Sequence, residues 1–137
     1  MDDERSLLER VIAHDASLLD LYRIEVVQTG DGACTLSATP RAELVNSAGV
    51  THGSLAFTLA DTAAAYAMAS RELHAVTINA AMSYTAPARS DETLTARAEI
   101  RTAGRRLAAV QAEVHSGDRM VAHGTFQFSI LQEARDF

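Results

Sequence analysis

The chain has 137 residues, 47% hydrophobic and 22% charged, which suits one folded domain over residues 1–137 and excludes a disordered chain. Its formal net charge of −6 and pI near 5.2 argue against DNA or RNA as a partner, because phosphate backbones require a basic face. All 12 Lys and Arg positions are Arg, so any anion contact uses planar guanidinium groups, although a compositional bias that also enriches Ala explains the same count.

The acidic leader MDDERSLLER has no apolar signal region, and Cys34 has no second cysteine to pair with, so a reducing, cytoplasmic setting is expected. Leu7, Leu8, Val11 and Ile12 follow helical spacing and predict a short amphipathic helix over residues 3–13. Leu18–Leu21 reads as a connector. Residues 21–29 and 33–39 read as strands joined by Thr-Gly-Asp-Gly, a hairpin sequence, and Pro40 ends the second. Arg41–Thr51 lacks periodicity and contains Asn, Ser and Gly, so it reads as a loop.

Residues 45–70, VNSAGVTHGSLAFTLADTAAAYAMAS, predict a long helix from Gly53 to Ser70, roughly 27 Å at 1.5 Å per residue, with Thr51 as its N-cap. Thr58, Asp61 and Thr62 interrupt its apolar run, which is too short for a bilayer, so no membrane partner is expected. Its polar positions, Ser54, Thr58, Asp61 and Thr62, share an arc of roughly 100°. Such a helix is buried nearly all round, and its polar stripe must face something other than the core.

Strand alternation follows. Val76, Ile78, Ala80, Met82 and Tyr84 fall on one face of a strand that Pro87 terminates. Leu94, Ala96, Ala98 and Ile100 alternate with polar residues, and Gly-containing turns lead into strands over 105–115 and 119–131. The plan is a hairpin, a long helix and a three-strand antiparallel meander. It implies an α+β fold in which a curved sheet wraps the helix.

Asp61 is the residue that this plan makes conspicuous. An unpaired carboxylate in apolar surroundings is costly and gains proton affinity. It is either a buried Asp satisfied by Thr58, Thr62 or a neighbouring Arg, or a general base or nucleophile in a cleft along the stripe. At the helix start, Gly53 permits close approach to backbone amides that can hold an oxyanion. His52 reads as a structural loop histidine ahead of a catalyst, and Asn46 as a turn residue or a group that orients water or a carbonyl.

The stretch NSAGVTHGSLAFTLADTAAAYA resembles the signature of hotdog-fold acyl-CoA thioesterases of the phenylacetate-pathway (PaaI-like) family: Asn, two residues, Gly, two residues, His-Gly-Gly, then a helix with Leu-Ala-Asp. Tyr84 to Pro87, Arg89-Ser-Asp-Glu-Thr-Leu-Thr-Ala-Arg-Ala, Gly104-Arg105-Arg106 and Ala122-His123-Gly124-Thr125-Phe126 extend the likeness. The resemblance implies a hotdog fold, dimeric and often a dimer of dimers. It implies hydrolysis of a small or medium, or aryl-acetyl, acyl-CoA to acid and coenzyme A. Asp61 matches the catalytic carboxylate, Gly53 the oxyanion-donating glycine and Asn46 the loop asparagine that positions substrate or water. His52, Ser54 and Thr62 border that site, and Ser54 replaces the usual second Gly, where its side chain would narrow the acyl pocket. Coenzyme A needs a cationic site, for which Arg89, Arg105 and Arg106 are the candidates, with solvated turn arginines as the alternative. No cofactor is implied beyond the coenzyme A of the substrate. No metal site is implied either, since His14, His52, His74, His115 and His123 show no ligand-pair spacing. Two other functions fit a hotdog fold. A non-catalytic acyl-CoA binder would have no use for Asp61. An enoyl-CoA hydratase would want a carboxylate shortly before His52, where Ser47–Thr51 contains none.

Overall fold

A computed structural model describes residues 4–131. The first residue of the expected leader helix and the last six of the expected domain lie outside the described residues. Two short helices, α1 (Leu7–His14) and α2 (Ala16–Tyr22), precede strands β1 (Ile24–Gly30) and β2 (Ala33–Ala38). A single 3-10 turn (Ala42–Leu44) and a loop lead into the long helix α3 (Gly53–Ala69). Strands β3 (Ala75–Tyr84), β4 (Leu94–Ala103), β5 (Leu107–Ser116) and β6 (Arg119–Ile130) complete the chain.

Local chemistry explains most of the boundaries. Ser6 and Glu9 form a reciprocal capping box that starts α1. Leu18–Leu21 is helical rather than a connector: Asp15 serves both as C-cap of α1 and N-cap of α2, so two helices abut where the sequence showed one. Asp31 and Gly32, with φ of 51° and 81°, make the two-residue β1–β2 turn, as the Asp-Gly dipeptide foretold.

The strands form one open antiparallel sheet in the order β1-β2-β4-β5-β6-β3. Its inner face supplies Leu36, Leu94, Val110, Val114, Phe126 and Phe128 to one core with Leu55, Leu59, Tyr66 and Met68 of α3. Alanines on both surfaces, among them Ala96, Ala98 and Ala112 facing Ala60, Ala63 and Ala64 in that core, let the helix lie close to the sheet. This is the hotdog arrangement. On α3, Ser54 is exposed and Phe57, Thr58, Asp61 and Ala65 are half-covered, so Ser54, Thr58 and Asp61 of the expected polar stripe lie on the side the sheet does not take, whereas Thr62 is buried.

One expectation fails in β3. Its residues were expected on a single face from Val76 to Tyr84. A bulge between Thr77 and Asn79 leaves Ile78 without a partner on β6 and flips the faces on either side of it. Ala75 and Thr77 therefore turn toward the helix before the bulge, and Ala80 and Met82 after it, while Val76 and Ile78 are 40% and 54% exposed.

Candidate functional site

The loop before α3 is built around Asn46. Its Oδ1 accepts from the amides of Ala48 (2.9 Å) and Val50 (3.2 Å), and its own amide donates to the Val50 carbonyl (2.8 Å). Gly49, at φ 79°, takes the left-handed conformation that closes this turn. Thr51 is then pulled into the structure rather than capping the helix. It bridges Val45, donates its amide to the Ala88 carbonyl (2.9 Å) and is 5% exposed. The N-cap is His52, whose Nδ1 accepts from the Ser54 amide at 3.0 Å. That assignment puts the ring proton on Nε2. Ser54 turns its hydroxyl to the same ring, 2.9 Å away.

With Ser54 so engaged, the Gly53 N–H has no hydrogen-bond partner among the described residues. It sits at the positive end of a 17-residue helix. The Tyr84 ring lies over it, so close that a Cβ at Gly53 would stand 3.1 Å from Cε1. His52, Gly53, Tyr84, Pro87 and Val121 help line a cavity of about 470 Å³.

Asp61 lies eight residues further along α3, about 12 Å by helical rise. It does not line that cavity. Its partner is neither Thr58, Thr62 nor an Arg: the Thr77 hydroxyl donates to Oδ1 at 3.0 Å. Thr62 instead donates to the Thr58 carbonyl (2.7 Å), and its side chain is buried. Burial pushes the Asp61 carboxyl above its ordinary value, and the Thr77 hydrogen bond opposes that shift in part. The site thus holds a carboxylate with raised proton affinity and, two turns away, an unpartnered amide.

The arginines separate. Arg89, near the helix start, pairs with Asp91 (3.2 Å) and Glu92 (3.0 Å) on the protein surface. Arg105 and Arg106 occupy the β4–β5 hairpin, whose strands end beside the Ala75 end of β3, where Ile130 donates to the Arg106 carbonyl. One chain therefore holds the two groups at opposite ends of a ten-residue strand, about 30 Å apart. Arg119 donates to the Pro87 carbonyl (3.0 Å) at the rim of the first cavity, a placement the sequence did not signal. Thr77 was missed as well, because its relation to Asp61 exists only once the sheet wraps the helix. No group of three or more His, Cys, Asp or Glu side chains suited to a metal ion occurs among the described residues. No helix there is long and apolar enough to cross a membrane.

The fold and the signature loop define a hotdog domain, and the comparisons with known proteins specify its relatives. The pattern of the thioesterase superfamily matches residues 48–133. The chain is 32% identical over 91 residues to the acyl-coenzyme A thioesterase PaaI of Escherichia coli (strain K12), covering 66% of this chain. That alignment spans 65% of the relative's length, just under two thirds. Among solved structures it is similar to the conserved protein PA5202 of Pseudomonas aeruginosa, with TM-score 0.79 and 31% identity over 84% of this chain and 94% of that one. It is also similar to the E. coli PaaI protein from the phenylacetic acid degradation operon, with TM-score 0.83 and 25% identity over 89% and 94% of the two chains. The chain belongs to the thioesterase superfamily, in its hotdog-fold, PaaI-like family.

Proposed function

We propose that this protein hydrolyses acyl-CoA thioesters to free acid and coenzyme A. The observation that carries the reading is Asp61, an ionisable carboxylate held by Thr77 in largely apolar surroundings, on the helix whose first amide, Gly53, is unpartnered. In this reading the Gly53 N–H donates to the thioester oxygen as negative charge develops on it, strengthened by the helix dipole. Asp61 either takes a proton from the attacking water or attacks the carbonyl itself. The carbon–sulfur bond then breaks and the thiolate leaves, taking up a proton as coenzyme A; where Asp61 has attacked, water hydrolyses the resulting acyl–Asp61 anhydride to release the free acid. Asn46 holds the loop that presents Gly53, and His52 caps the same turn.

The 12 Å between Gly53 and Asp61 is too far for both to reach one reacting group within a single chain. The site is therefore shared between two subunits of a cytoplasmic homodimer, itself paired into a dimer of dimers. Two central helices lying antiparallel across a two-fold axis would set Gly53 of one chain beside Asp61 of the other. The edge of β3, unpaired among the described residues, with Val76, Ile78 and Tyr84 exposed, supports such a contact. The same operation would carry Arg89 of one chain toward Arg105 and Arg106 of the other, which suits the phosphates of coenzyme A. The substrate is a small, medium or aryl-acetyl thioester, a class that the operon of the E. coli relative supports.

The test is thiol release from a panel of acyl-CoAs by the protein and its Asp61→Asn variant. The unaltered protein is expected to release thiol, and the variant to lose roughly 10²–10⁴-fold in turnover, the usual range for a general base. Near-full turnover in the variant would make Asp61 structural.

A further inference from the structure

A second cavity, also about 470 Å³, opens at the other end of α3. Its apolar wall is Leu7 and Val11 of α1, Ala65 and Ala69 of α3, and Val76 of β3. Ala65 stands one turn beyond Asp61, about 6 Å along the helix, and Val76 directly precedes Thr77. The cavity thus opens about one helical turn beyond Asp61, although neither Asp61 nor Thr77 lines it. Alanines at 65 and 69 leave open the space that larger side chains would fill.

Helix α1 roofs this space and is tied at both ends. The Leu7 amide donates to the Glu72 carboxylate (3.1 Å), and the Tyr66 hydroxyl donates to Asp15 Oδ2 (2.8 Å). These two bonds fix its direction as antiparallel to the last turns of α3. The roof carries polar groups. Arg10 and His14, one turn apart on α1, are exposed at the rim, while His74 and Asp15 are half-buried in the lining. The Asp15 carboxylate is already engaged by Tyr66. His74 is held below the ordinary histidine value, first by burial and second by the charge of Arg10. Arg10 is thus the permanent positive charge at this mouth.

We infer that this cavity takes the acyl part of the substrate and that Arg10, assisted by His14 and His74, selects acyl chains ending in a second carboxylate. The substrate class is the coenzyme A monothioester of a dicarboxylic acid. This rests on the proposed thioesterase reading. From Asp61 to Ala69 is eight residues, about 12 Å, which an extended chain of about ten carbons spans, since C–C bonds near 1.5 Å advance a zigzag chain by about 1.25 Å each. A methyl terminus would leave Arg10 without an ionic partner from the ligand, whereas a carboxylate would form charge-assisted hydrogen bonds. In a protein of net charge −6, such an anionic terminus needs a local cation.

The test measures kcat/KM by thiol release for pairs of straight-chain acyl-CoAs of about four to fourteen carbons. Members of each pair differ only in a terminal carboxylate or methyl. The protein is expected to favour the carboxylate member about ten-fold near ten carbons, as one charge-assisted hydrogen bond allows. Arg10→Gln, at an exposed position, is expected to collapse that ratio; its melting temperature verifies that α1 remains folded. Preference for the methyl member at every length, or an equal fall for both members in the variant, overturns the inference. Hydrolysis without any preference overturns it too and leaves the thioesterase reading standing. Absence of release from every thioester removes both.

Discussion

Two opposing effects set the proton affinity of Asp61, and they can be separated by substitution. Burial disfavours the carboxylate and raises its pKa, while the Thr77 hydroxyl stabilises the charged form. Thr77→Val keeps the shape and deletes the donor, so the pKa should rise further. A base or nucleophile must be ionised, so the acidic limb of the kcat/KM profile should move to higher pH, and Thr77→Ser should restore it. A limb that stays in place would detach Thr77 from the chemistry. The same shift has a stability consequence of definite sign. Asp61 has a raised folded-state pKa, so its favourable contribution is present below the unfolded value near 3.8 and is lost as pH rises through the folded value. Asp61→Asn removes that loss. The variant should be at least as stable as the parent at pH 7, with the difference shrinking toward pH 4, as denaturation at several pH values would measure.

At the scale of elements, the helix start and the edge strand are the parts whose tolerance can be gauged. His52→Ala deletes the cap of α3 and should cost about 1 kcal/mol, or roughly 3–6 °C in melting temperature. His52→Asn supplies an alternative cap and should recover most of that stability. Activity lost in the Asn variant despite a restored melting temperature would place His52 against substrate. In β6, a Cβ at Gly124 would overlap the Ala81 carbonyl oxygen on β3, backbone that cannot step aside. Gly124→Ala should therefore destabilise by roughly 1–3 kcal/mol and displace the strand that carries Thr77 and Tyr84. What the sequence disclosed at this scale follows from local chemistry. The Asp-Gly turn, the period-two run from Leu94 and the apolar length of α3 each act within a few residues. What it concealed depends on partners. The bulge at Ile78 exists only in register with β6, and it decides that Thr77 rather than Val76 meets Asp61. Thr51 and His52 can both cap a helix, and the choice falls to His52 because distant Ala88 claims the Thr51 backbone. The division into α1 and α2 turns on Asp15, which Tyr66 anchors from 51 residues away.

At the scale of the whole molecule, the distribution of the proposed site along α3 would make assembly part of the chemistry. Gly53 and Asp61 share one helix, and an Asp side chain cannot close an axial gap of about 12 Å. In the proposed shared site each subunit would contribute an amide to one site and a carboxylate to the other, so variants of different halves should complement. Asn46→Ala unties the loop that presents Gly53, since its Oδ1 holds two loop amides. Asp61→Ala removes the carboxylate and leaves that loop intact. Each variant alone should be nearly inactive. In a mixed dimer, one site collects both defects and the other is whole. Random pairing makes half of the dimers mixed, so co-expression should restore about a quarter of the parent activity. Purifying the mixed species by two different tags should raise that to about half per dimer. Mixed dimers as inactive as either parent would mean that each chain works alone. In that case a single subunit would have to bring Gly53 and Asp61 together, which the rigid rise of α3 forbids, and the Gly53 amide would lose its place in the reaction.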